Sequence, residues 1–156
     1  MPLYHVKRAG LSVGDQIPVL VGQKLSTGSG LERRERVVES VRAPDFPALP
    51  SRYACTFAWA ELDPAIAWLP AKPEEPTNSI YEVAAVGALR WFRGDARWLD
   101  GYADPHHDEA HWRWAARNYW AGAKCPWGSS WEIAIEGPLI VVRVVATPSE
   151  GAAEAV

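Results

Sequence analysis

Apolar and polar residues alternate in several short runs of this chain, and each such run predicts a strand. In "LYHVK" (3–7), Tyr4 and Val6 share one face and His5 takes the other. The apolar-rich runs "YACTFA" (53–58) and "SIYEVAA" (79–85) also read as strands. So do 132–135 and 139–145, which the tight Glu-Gly-Pro turn between them predicts to be a strand pair. After a turn at Gly14-Asp15, a further extended piece is expected through Leu20 and Val21. Two segments repeat at helical spacing instead. Leu31 to Val41 carries glutamates and arginines three and four apart that can pair on a solvated face. Asp108 to Trp120 is amphipathic and stops at Ala121-Gly122.

Turn and breaker residues divide these elements. Asp63 reads as an N-cap with Pro64 at the first helical position, opening a short helix through Leu69. The three prolines of "RAPDFPALPSR" predict an extended linker. "LRWFRGDARWLDGY" reads as irregular, and "GQKLSTGSG" and "PAKPEEPTNS" read as loops. With no internal repeat, the pattern predicts one α+β domain over 1–146 and a flexible tail over 147–156.

Composition narrows the setting. A chain of 156 residues, 48% hydrophobic and 22% charged, suits one globular core and excludes disorder. A formal net charge of −3 declares no partner. No run is long enough to span a bilayer, and "MPLYHVKRAG" has no apolar signal region, so no membrane role is expected. Cys55 and Cys125 lie far apart and read as reduced thiols, which fits a cytoplasmic protein, or at most as one disulfide. Nine tryptophans are a large excess. Trp59, Trp68, Trp112 and Trp120 fall among apolar neighbours and are expected in the core. Trp91, Trp98 and Trp127 are expected near a cleft or binding surface.

Several chemistries can be weighed. His107 and His111 are four apart, with His106, Asp104 and Asp108 nearby. "PHHDEAH" nevertheless lacks the glutamate beside the first histidine and a third ligand, so a solvated helix start is expected and no metal. "STGSG" lacks the lysine of a phosphate loop. A distributed set remains: His5 on the first strand, the run Ser51, Arg52 and Tyr53 entering a middle strand, and Glu132 opening a late one. On spacing alone, Glu132 reads as a solvated edge-strand glutamate, and His5 fits an interior histidine as well as a ligand contact.

The order of these motifs resembles a known group. "LYHVKRAGLSVGDQI", "TFAWAELDPAIAWL", "SIYEVAAVG" and "WEIAIEGPLIVVRVV" are similar to successive segments of ADP-ribosyltransferases, notably the rifampin-modifying and DNA-modifying bacterial types. The run from "ERVVESVRAPDFPALPSRYACTFA" through "NYWAG" to "WEIAIEGPL" resembles more closely a bacterial family of unknown function grouped with that fold.

The resemblance implies a split, mixed β-sheet with flanking short helices, ADP-ribosyltransferase-like, and NAD as co-substrate. It implies that Glu132 is the catalytic carboxylate, stabilising positive charge on the ribose as the nicotinamide bond breaks. His5 would bond the ribose hydroxyls. Tyr53 and Phe57 would stack on nicotinamide, with Phe57 standing where related enzymes carry a tyrosine. Arg52, beside Ser51, would take the pyrophosphate or else a nearby glutamate. Asp95 would support the site or cap a turn after Gly94. The acceptor of ADP-ribose stays open between nucleic acid, protein and a small molecule. Arg90, Arg93 and Arg97 beside Trp91 and Trp98 suit single-stranded nucleic acid. A toxin or defence role would bring an antitoxin or immunity partner. The alternative is a module of the same fold that binds NAD or a nucleotide, or another protein, without catalysis.

Overall fold

The computed structural model describes residues 1–19, 30–66, 78–87, 90–100 and 107–146. Its strands are β1 (Leu3–Arg8), β2 (Gln16–Ile17), β3 (Cys55–Trp59), β4 (Asn78–Ala85), β5 (Trp91–Asp95), β6 (Trp131–Glu136) and β7 (Leu139–Ala146). They form a sheet in the order β2-β7-β4-β1-β3-β6-β5. Among the described residues every strand pair is antiparallel, which corrects the expected mixed sheet. The parallel contact is an isolated bridge between Cys55 and Gly137.

Pairing is uneven across the sheet. β1 is paired with β4 over its whole length, from Leu3–Val83 to Arg8–Asn78. β3 and β6 match from Cys55–Glu136 to Trp59–Glu132. Between β1 and β3 the register has one pair, Tyr4–Trp59. The sheet is therefore continuous but nearly divided at that seam, with β2-β7-β4-β1 on one side and β3-β6-β5 on the other.

The expected β6–β7 hairpin does not form. Only Gly137 and Pro138 separate these strands in sequence, yet β3, β1 and β4 lie between them in the sheet. Laid flat, strands spaced about 4.8 Å apart would put β6 and β7 roughly 19 Å from each other. The three residue steps from Glu136 to Leu139 reach at most about 11 Å. The sheet must fold over. Ala58, Ile133 and Ile135 of one block then meet Tyr81, Val83 and Val141 of the other in a single buried cluster. Gly137 makes the corner at φ 115°, a conformation other residues rarely adopt.

A second core lies under the helices. α1 (Gly30–Asp45) and α3 (Glu109–Trp120) close on each other and on Phe92 of β5, burying Val38, Val41, Trp112, Tyr119 and Trp120. The Trp120 indole N–H is satisfied by the Val38 carbonyl at 2.9 Å. Asp108 caps α3 by accepting the His111 N–H at 2.9 Å. α2 (Leu62–Ile66) carries Asp63 and Pro64 in its first turn, and its expected extension to Leu69 lies outside the described residues. So do the extended piece at Leu20 and Val21, Trp68, His106 with Asp104, and the 147–156 tail.

Three local readings are corrected. α1 runs on through Pro44 instead of ending near Val41; Phe46 N–H still reaches the Arg42 carbonyl at 2.8 Å, and Arg42 binds the Leu49 carbonyl at 3.0 Å. The segment read as irregular contains β5 and a 3-10 turn over Ala96–Leu99. Trp98 is in the core, 4% exposed, with its indole N–H on the Ala123 carbonyl at 2.9 Å. Trp112 and Trp120 are core residues and Trp59, expected with them, is only partly buried, whereas Trp91 and Trp127 are more than half exposed. No described helix is long and apolar enough to cross a membrane.

Candidate functional site

The seam creates a cavity. Past the Tyr4–Trp59 pair β1 leaves β3, and the His5 ring bonds the Phe57 carbonyl from Nδ1 at 2.6 Å. A carbonyl can only accept, so Nδ1 carries the proton and Nε2 is an acceptor. Burial pulls the His5 pKa below its ordinary 6.5; the bond to Phe57 opposes this and Lys7 adds to it. The neutral ring is therefore favoured at pH 7. It borders a cavity of about 220 Å³ with Val6, Phe57, Trp59, Asn78 and Glu132. His5 and Glu132, far apart in sequence, thus line one cavity.

Glu132 is held from behind. Tyr119 of α3 donates its hydroxyl to Oε1 at 2.8 Å, and Arg52 donates to the same oxygen. Among the described residues, no donor reaches Oε2. Arg52 also binds the Tyr119 oxygen at 2.7 Å and Glu35 of α1 at 2.9 Å, and its guanidinium lies 4.5 Å from the Phe57 ring centre. Arg34 closes the chain, donating to Glu35 at 2.7 Å and to the Leu99 carbonyl at 2.7 Å.

The set is a buried network of two arginines, two glutamates and a tyrosine in which formal charges cancel. Burial disfavours the Arg52 charge, but Glu35, Tyr119 and Glu132 outweigh it and hold its pKa well above the ordinary arginine value. Burial also raises the Tyr119 pKa well above 10.0, with Arg52 pulling the other way, so the hydroxyl stays a donor.

The remaining candidates do other work. Arg52 takes the glutamate partners that were the alternative to pyrophosphate. Ser51 caps the 3-10 turn Arg52–Ala54, accepting the Tyr53 N–H at 3.3 Å and donating to Glu39 at 3.0 Å. Tyr53 is not among the residues that line the cavity, and its buried hydroxyl has no hydrogen-bond partner among the described residues. Asp95 is fully buried and accepts backbone N–H groups from Arg97, Cys125 and Ser130 at 2.8–3.2 Å, so it ties loops together rather than facing a ligand. Phe57 lines the cavity as expected, but Arg52 already covers its ring.

The basic cluster is dispersed among partners. Arg90 pairs with Glu136, Arg93 lies over Trp131 at 4.2 Å, and Arg97 pairs with Asp100. His107 and His111 stack with centroids 3.8 Å apart, and among the described residues no three potential ligands form a metal group.

Arg34, Glu35 and Tyr119 are the members that the sequence reading missed. The signal was present. Arg34 precedes Val37, Val38 and Val41 by three, four and seven residues, and Tyr119 follows Trp112 and Ala115 by seven and four. Each lies on an apolar stripe facing inward.

No curated protein matches this chain. The model of a family described as protein of unknown function (DUF2441) matches residues 3–147, from the start of β1 to just past the end of β7, and the chain belongs to that family.

Proposed function

We propose that the seam cavity binds the nicotinamide-ribose end of NAD and that the protein breaks the bond between them, passing ADP-ribose to an acceptor nucleophile. The observation that carries this reading is that His5 and Glu132 line the same cavity. The neutral His5 Nε2 accepts a hydrogen bond from a ribose hydroxyl. Glu132, its Oε1 fixed by Tyr119 and Arg52, turns the other oxygen to the ribose and stabilises the positive charge that grows as nicotinamide departs. The same oxygen can take the proton of the acceptor nucleophile. Trp59 replaces Tyr53 as the stacking residue, because it borders the cavity and Tyr53 does not. About 220 Å³ suits one nicotinamide-ribose unit and not a whole dinucleotide.

One observation favours a second reading. Glu132 already balances the Arg52 charge, and a carboxylate so paired offers a weaker field to a cationic ribose. In that reading the protein binds a nucleotide without cleaving it. Incubating purified protein with NAD and measuring nicotinamide by chromatography separates the two. Catalysis releases nicotinamide in proportion to enzyme, with ADP-ribose appearing free or as an added mass on an acceptor. NAD recovered intact at enzyme-equivalent concentrations, with measurable binding, would establish the second reading instead.

A further inference from the structure

Trp59 borders two cavities. The second, about 520 Å³, is lined also by Arg97, Asp100, Gly128, Ser129 and Ser130. Their proximity follows from register: Trp59 pairs with Glu132 across β3 and β6, and Ser130 lies two residues before Glu132. Small-molecule sites usually enclose about 300–1,000 Å³. The seam cavity falls short of that range and the second lies within it.

The second cavity has the chemistry of an anion site. Arg97 places its guanidinium against Gly128, where an added Cβ would stand 3.5 Å from two of its nitrogens. Gly128 sits at φ 130°, so a side chain there is strained as well as crowding. Ser129 and Ser130 also line this cavity. Arg97 is held by Asp100 at 3.1 Å, and both side chains are about half exposed. Such a pair contributes little, so a phosphate can take the guanidinium at small cost.

We propose that the two cavities are halves of one site, and that the larger receives the pyrophosphate-bearing lobe of a dinucleotide on Arg97. Asp100 occupies Arg97 until the ligand arrives and opposes the ligand's charge. The inference rests on the seam cavity being the nicotinamide-ribose site.

Calorimetric titration of the full chain with ADP-ribose and with nicotinamide riboside tests both parts. Arg97→Gln is expected to weaken ADP-ribose binding about tenfold or more, the loss of one charge-assisted contact. Asp100→Asn is expected to tighten it several-fold by freeing Arg97 and removing a repelling charge. Neither variant should change nicotinamide riboside binding, which should instead weaken in His5→Asn. Both substituted residues are half exposed, and unchanged melting curves check that the variants fold.

Equal ADP-ribose affinity in wild type, Arg97→Gln and Asp100→Asn overturns this inference while leaving the seam reading intact. Arg97-dependent ADP-ribose binding without any nicotinamide riboside binding keeps the anion site and overturns the seam reading. Binding of neither ligand overturns both.

Discussion

The β3-β6-β5 block and the β1–β3 seam are built from the same kind of strand, yet they solve the polar backbone problem differently. Within the block each strand is matched along its length, and the polar side chains behind it form a buried network. At the seam one pair holds the strands, and His5 is the side chain that satisfies the Phe57 carbonyl. A matched ladder leaves no room for a ligand; an unmatched one opens a cavity and presents unspent groups to it. The block supplies rigidity, and the seam supplies access.

Breaking the network behind the block should have the largest effect. Arg52→Met removes the cation shared by Glu35, Tyr119 and Glu132, leaving a buried carboxylate without its counter-charge. Loss of about 3–5 kcal/mol is expected in denaturant unfolding. A loss under about 1 kcal/mol would mean that the network is hydrated and that Glu132 is not rigidly held.

Next comes Gly94→Ala. An added Cβ would lie 2.5 Å from Tyr119 Cε2 and 2.7 Å from Phe92 Cε1, both rings in the helix core. Overpacking of this kind costs about 1–3 kcal/mol. It also pushes the Tyr119 hydroxyl off Glu132, so activity should fall further than the melting shift accounts for. Wild-type activity and stability in this variant would show that the ring has room to yield.

Gly94 also explains part of what was legible in the sequence. β4, β6, β7 and α3 could be read because an apolar-rich run between turn residues, or in α3 an amphipathic stripe, marks each in its own sequence, although β6 is buried on both faces. β5 could not: "WFRGD" contains a glycine, read as a breaker, whose reason is the Tyr119 ring arriving from a distant helix. The Glu-Gly-Pro turn placed the facing ends of β6 and β7 to within one residue but not their separation, because a short turn has the same local signature whether the strands pair or part. The seam residues His5 and Glu132 were legible as types at strand starts. The Arg34–Glu35–Arg52 chain was passed over although Arg34 lies on the inward stripe, since the acidic and basic alternation of α1 resembles a solvated face, and Arg36–Glu32 and Arg42–Glu39 do pair in that way.

Glu132→Gln tests where the block meets the seam. The amide keeps the shape and can still accept at one oxygen, but the negative charge is gone. If the carboxylate stabilises a cationic ribose, nicotinamide release should fall at least about tenfold, or about 1.4 kcal/mol. NAD affinity should change much less, because the ground state lacks that developing charge. Loss of affinity as large as the loss of turnover would point to a binding role and favour the second reading.

The smallest expected effect belongs to the seam, and it carries a pH signature. His5 has its pKa lowered from 6.5 by burial, so the folded state holds its proton less tightly than the unfolded chain does. Where the unfolded state binds more protons, stability rises with pH. The neutral ring's contribution is therefore complete above about pH 6.5 and is lost as pH falls from there toward the lower folded-state pKa. His5→Asn isolates this. Its amide nitrogen can stand where Nδ1 stands and still donate to Phe57, so stability at pH 8 should stay within about 1 kcal/mol of wild type. The variant does not titrate, so wild type should lose more stability than the variant between pH 7 and pH 5. Asparagine also lacks the Nε2 acceptor, and NAD binding should weaken at every pH. Parallel stability curves for the two proteins would mean that His5 is not buried as a neutral ring, and the acceptor assigned to the ribose would then be lost with it.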